Sequence, residues 1–132
     1  MKEQNIALIK KMYTAFEHGD TQTILNHLTD DVEWRFEGPP QIPYTGIRRG
    51  PQEVMGFFTG LAGNESLPSL RMEEFYGDGD VVITVGRYSA TVNATGKSFD
   101  TALVHLFKIR DGKVCRFSNH PDTAAELTAY TR

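Results

Sequence analysis

Apolar residues near the start of the chain recur at helical spacing. Ile6, Ile9, Tyr13 and Phe16 form the stripe, and Leu8 and Met12 widen it. Gly19 is a suitable left-handed stop, and Asp20 suits the cap of a shorter second helix with Ile24, Leu25 and Leu28 on its buried face. Asp30 and Asp31 are expected to close that hairpin. The period then changes to two. Val32, Trp34 and Phe36 alternate with Glu33, Arg35 and Glu37, which predicts a strand with one aromatic face. A Pro/Gly-rich connection runs from Gly38 to Gly50, the kind of segment that forms a lid or rim. Pro51 opens a third helix with Val54, Phe57, Phe58 and Leu61 on its apolar face, ending at Gly63-Asn64. Four strands are expected after it: Leu70 to Tyr76, Val81 to Val92, Phe99 to Ile109 and Val114 to Asn119. Turns rich in Gly, Asp and Asn separate them. Pro121 stops the last strand, and Asp122 or Thr123 caps a final helix from Ala124 to Tyr130.

This order of helices and antiparallel strands predicts an α+β domain. At 132 residues the chain fits a single domain, residues 1–132. Hydrophobic content of 39% and charged content of 23% are those of a folded globule, so disorder is not expected. The net charge of −3 argues against a dedicated nucleic-acid or anionic-membrane partner. The lone cysteine, Cys115, excludes an internal disulfide and a Cys-rich zinc site. The N-terminus has no secretory pattern and no apolar run is long enough for a membrane span, so a cytoplasmic protein is expected. The four histidines show no metal-ligand spacing, and no metal or cofactor is expected.

Several short stretches follow one another in an order that carries a resemblance. They are Tyr13 to Asp20, Leu28 to Trp34, Gly46 to Gly50, Ala94 to Phe99, His105 to Val114, and Asp122 to Ala125. Together they resemble the SnoaL-like branch of the nuclear-transport-factor-2-like superfamily, which includes ketosteroid isomerases, polyketide cyclases and limonene-epoxide hydrolases. The resemblance covers nearly the whole chain. It implies a cone-shaped barrel, a curved antiparallel sheet wrapped on three helices plus a short C-terminal helix, with one deep pocket. It also implies a homodimer formed through the other face of the sheet.

The catalytic carboxylates of those relatives do not carry over. The isomerase base falls on Phe36 and its acidic partner near Val104; the last-strand aspartate of the hydrolases and cyclases falls on Asn119. An apolar side chain cannot carry a proton, and an amide is no base at neutral pH. What remains is a different polar set. His105 is in phase with Leu103 and Phe107, and Asn119 with Cys115 and Phe117, so both are expected to face the interior. Each has a purely structural alternative as a packed or backbone-bonded residue. The catalytic set read from the chain is His105 for proton transfer, with Asn119 and Arg87 positioning an oxygen; Arg87 enters by its place near the hydrolases' arginine. Trp34, Phe36, Tyr13, Tyr44, Phe57, Tyr88, Phe107 and Phe117 are the expected substrate-binding residues, with Tyr44 a candidate lid. His120 reads as a rim residue. The resulting expectation is a pocket protein for a hydrophobic small molecule. It would be a cofactor-free isomerase, cyclase or hydrolase acting on a carbonyl-type substrate. The alternatives are a non-catalytic binder of an apolar ligand and a dimeric accessory domain.

Overall fold

The computed structural model describes residues 2–132. Helix α1 (Lys2–Glu17) buries Ile9 and Met12 of the expected stripe, and Ala15 beside them. It ends at Gly19, whose φ of +67° is a left-handed backbone that a side chain resists. Asp20 then accepts the Thr23 amide at 3.2 Å and caps α2 (Thr21–Asn26). Strand β1 (Leu28–Phe36) begins earlier than its alternation suggested. Asp30 and Asp31 lie within it, and an irregularity between Leu28 and Glu33 absorbs them.

The Pro/Gly-rich connection is not all loop. Its end forms β2 (Gly46–Arg49), antiparallel to β1. In α3 (Gly50–Asn64) Pro51 occupies the first turn, and the Glu53 carboxylate accepts the Arg49 amide at 2.7 Å. The remaining elements are β3 (Glu65–Asp78), β4 (Val81–Val92), β5 (Ser98–Arg110), β6 (Lys113–Pro121) and α4 (Thr123–Tyr130). Asp122 caps α4 by accepting the amides of Ala124 and Ala125. No helix among the described residues is long and apolar enough to cross a membrane.

The fold is α+β, with six strands in the order β2-β1-β6-β5-β4-β3. The expectation of a wholly antiparallel sheet needs correction, because β1 and β6 run parallel. A hairpin forces its strands antiparallel. These two are separated by most of the chain, and β6 comes alongside β1 from the far end of the β3–β6 meander. Nor does the sheet close into a barrel, since β2 and β3 remain as edges. Its curvature is aided at Gly86, opposite a bulge between Met72 and Glu74. A Cβ at Gly86 would lie 2.1 Å from the Arg71 carbonyl oxygen, so only glycine fits that approach.

Strict alternation sorts the two faces. Along β5, Phe99, Thr101, Leu103, His105, Phe107 and Ile109 are buried, while Asp100, Ala102, Val104 and Lys108 are exposed. Helix α1 packs on β3 and β4, α3 on β1 and β2, and α4 on β5. The interior therefore has two clusters. The larger surrounds Trp34, Phe57 and Phe117, and the smaller gathers Tyr88, Phe99 and Leu103 under α4; Phe16 and Tyr130 pack against both.

Candidate functional site

A cavity of about 80 Å³ is bounded by residues of both clusters. Tyr13, Trp34, Phe36, Tyr44, Phe57, Tyr88, Phe107 and Phe117 all stand on its wall. The rings pack on one another. Trp34 stacks on Phe117 with centroids 4.1 Å apart, and Phe36 lies 4.4 Å from Phe57. The half-buried lining residues Phe16, Phe58, Leu61 and Leu70 come from α1, α3 and β3 and mark the approach from solvent. A cavity of about 150 Å³ takes benzene, so an aromatic ligand fits this one only if side chains at its mouth move. Tyr44 does not act as a lid. It is buried, and its hydroxyl donates to Glu126 Oε2 at 2.6 Å.

His105 and Asn119 face each other across the β5–β6 pair, with His105 Nε2 2.8 Å from Asn119 Oδ1. A carbonyl oxygen only accepts, so Nε2 carries the ring proton. Nδ1 then accepts from the Tyr13 hydroxyl at 2.7 Å, and that hydroxyl accepts from Thr84 Oγ1 at 2.6 Å. Burial pushes the His105 pKa down to about 3, outweighing the opposing effect of the Asn119 bond. The ring is neutral with both nitrogens engaged, so this chain positions Asn119. The Asn119 amide nitrogen has no partner among the described residues, although the side chain is only 2% exposed and lines the cavity. Burial also raises the Tyr13 pKa, so its hydroxyl stays protonated.

A second polar group lies beneath α4. Glu126 lines the cavity and is 3% exposed; Glu65, at the start of β3, is 5% exposed. Glu65 accepts from Tyr88 at 2.6 Å and from Tyr130 at 2.5 Å. The Tyr44 hydroxyl acts on Glu65 as well as on Glu126. Burial raises the pKa of both carboxyls, that of Glu126 to about 7, and the negative charge of Glu65 adds to the rise at Glu126.

The family model of the SnoaL-like domain matches residues 9–117. The chain belongs to the SnoaL-like family. Its fold is also that of solved nuclear-transport-factor-2-like structures. One NTF2-like protein, from Burkholderia thailandensis, is 26% identical with a TM-score of 0.89, and the match covers 97% of this chain and 98% of that one. TerC, whose crystals were grown with polyporic acid, is 26% identical with a TM-score of 0.85, covering 96% and 98% of the two chains. A SnoaL-like polyketide cyclase described from Jannaschia shares the fold at 18% identity and a TM-score of 0.84, covering 98% and 92%. No curated protein matches the chain.

Within this SnoaL-like fold the third residue of the expected catalytic set is displaced. Arg87 lies outside the cavity and pairs with Asp100 at 3.0 Å on the outer face of the sheet. Alternation explains it: Tyr88 faces inward, so its neighbour must face outward. His120 is exposed and contacts Ser118 Oγ at 2.9 Å. Sequence reasoning missed both buried carboxyls. Glu126 had a signal, since it shares a helical face with Ala129 and Tyr130 at spacings of three and four. Glu65 had none; it follows a helix end and is buried only by tertiary packing. Among the described residues no cluster of three or more His, Cys, Asp or Glu could hold a metal.

Proposed function

We propose that this SnoaL-like protein is a cofactor-free enzyme that performs general acid/base chemistry on a hydrophobic substrate bearing a carbonyl group. The observation that carries the reading is the unpartnered Asn119 amide within an aromatic cavity. In a site with so few polar groups, a fixed N–H donor selects a ligand oxygen and stabilises charge that develops on it. His105, Tyr13 and Thr84 hold the amide in place, and the aromatic wall takes up the apolar remainder of the substrate. A second reading, a binding protein without turnover, is favoured by the engagement of both His105 nitrogens, which leaves that ring no free site for proton transfer.

Trp34 is the only tryptophan and stands on the cavity wall, so its fluorescence reports occupancy. The test titrates the protein with hydrophobic carbonyl compounds and with polyporic acid, then follows each mixture by NMR. Saturable binding with chemical change is expected, with affinity about tenfold weaker in Asn119→Ala. Binding without change favours the second reading, and no binding overturns both. We also infer a homodimer through the outer face of the sheet, where Ile83, Val85, Val104 and Leu106 form adjacent cross-strand pairs. A monomer in sedimentation equilibrium overturns that inference.

A further inference from the structure

We propose that Glu126 is the proton-transferring group of this cavity and that Glu65 is the positioning residue behind it. The inference rests on the carbonyl-substrate reading above. Glu126 projects from α4 into the cavity wall with Oε2 held by the Tyr44 hydroxyl, while Oε1 has no hydrogen-bond partner among the described residues. One carboxyl oxygen is therefore anchored and the other is free for a ligand. The same cavity contains the unpartnered amide of Asn119, from β6. With Trp34 Nε1, which is buried without a partner on the same wall, the chamber offers two unused N–H donors and one unused carboxyl oxygen, a set that points to a ligand supplying both an acceptor oxygen and a hydrogen to be moved.

The surroundings suit that task. Glu126 is influenced by Glu65 from β3, by Tyr44 from the connection after β1, and by Asp122 at the start of its own helix; Tyr88 from β4 and Tyr130 from α4 complete the group. No Lys, Arg or His among the described residues pairs with either glutamate. Three tyrosine hydroxyls and a second carboxyl thus stand where a counter-cation would, and burial without a cation raises the proton affinity of both carboxyls. A carboxyl poised near neutrality both accepts and returns a proton efficiently.

The step balances without a co-reactant. Glu126 Oε1 removes a proton from the carbon next to the carbonyl. The C–H bond breaks, an O–H bond forms, and the electron pair passes to the carbonyl oxygen, where the Asn119 amide stabilises it. Return of the proton from Glu126 to the enolate breaks the O–H bond, forms a C–H bond and restores the carboxylate.

The test uses the full chain with 13Cδ-labelled glutamate and, separately, 2-tetralone in D2O. One glutamate signal, absent in Glu126→Gln, is expected to titrate near neutral pH and to shift downward in Glu65→Gln. A Glu126 signal that titrates in the ordinary carboxyl range, about 4.3, and ignores Glu65→Gln overturns the proposal. Wild-type protein is expected to accelerate hydrogen–deuterium exchange next to the 2-tetralone carbonyl. Glu126→Gln is expected to lose about 100-fold or more of that rate while still quenching Trp34 with the same ketone. Exchange as fast in Glu126→Gln as in wild type overturns the assignment and leaves the enzyme reading standing. Exchange absent from the wild type overturns that reading and the assignment with it.

Discussion

The two polar groups in this cavity are equally buried and chemically opposite. Thr84, Tyr13, His105 and Asn119 form a chain in which each group donates to the next, leaving a single amide nitrogen unused. Glu65 and Glu126 instead share tyrosine hydroxyls with no cation to neutralise them. Burial favours the neutral form of both kinds of group, which has different consequences for a base and an acid. The His105 pKa moves down to about 3 and away from neutrality, while that of Glu126 moves up to about 7 and onto it. The same burial thus moves the histidine out of the neutral range and the glutamate into it.

The largest effect is expected from breaking the histidine chain. His105→Leu keeps the volume but leaves the Tyr13 hydroxyl and Asn119 Oδ1 buried without partners. Each orphaned group costs about 1–3 kcal/mol, so the loss in urea unfolding is expected near 4 kcal/mol. A loss below about 1 kcal/mol would mean that the chain is incidental and that Asn119 needs no support.

How much of this contrast was legible in the sequence depended on the kind of signal. Gly19, Asp20 and Asp122 marked helix boundaries because left-handed backbone and capping are local chemistry. Period-two alternation sent His105 and Asn119 inward together with the aromatic wall. The same alternation also carried the answer on Arg87, which a family position overrode: adjacent residues on a strand cannot share a face. The β3 edge strand began five residues before its expected start, because Glu65 to Ser69 includes Pro68 and an exposed Leu67 at φ +54° and shows no alternation. The parallel β1–β6 pairing and the burial of Glu65 are tertiary outcomes with no local cause. Glu126 lay between these extremes, since a carboxylate on the inner face of a short helix conflicts with that helix's own pattern.

The next effect sharpens the comparison through pH. Below its unfolded pKa of 6.5, His105 takes up a proton only when the chain unfolds, so acidification toward pH 3 lowers stability. Glu126 is protonated in the fold below about 7 but in the unfolded chain only near 4.5, so acidification through that window raises stability. The slopes are each about 1.4 kcal/mol per pH unit and oppose one another where the windows overlap. Glu126→Gln removes one of them. In urea unfolding the stability of the wild type relative to the variant is expected to rise by about 3 kcal/mol from pH 7 to pH 4.5. A constant gap would place Glu126 in the ordinary carboxyl range and dissolve the contrast.

The smallest effect is the control on the whole arrangement. Arg87 and Asp100 form an ion pair whose side chains are 44% and 54% exposed. Such a pair contributes about 0–1 kcal/mol and is weakened by salt. Arg87→Ala is therefore expected to change stability by about 0.5 kcal/mol at most, less at high salt, and to leave 2-tetralone exchange as in wild type. Arg87 lies on the face of β4 opposite to Tyr88, which lines the cavity. A loss of exchange in Arg87→Ala comparable to that in Glu126→Gln would place the chemistry on that outer face, and both buried networks would then be packing alone.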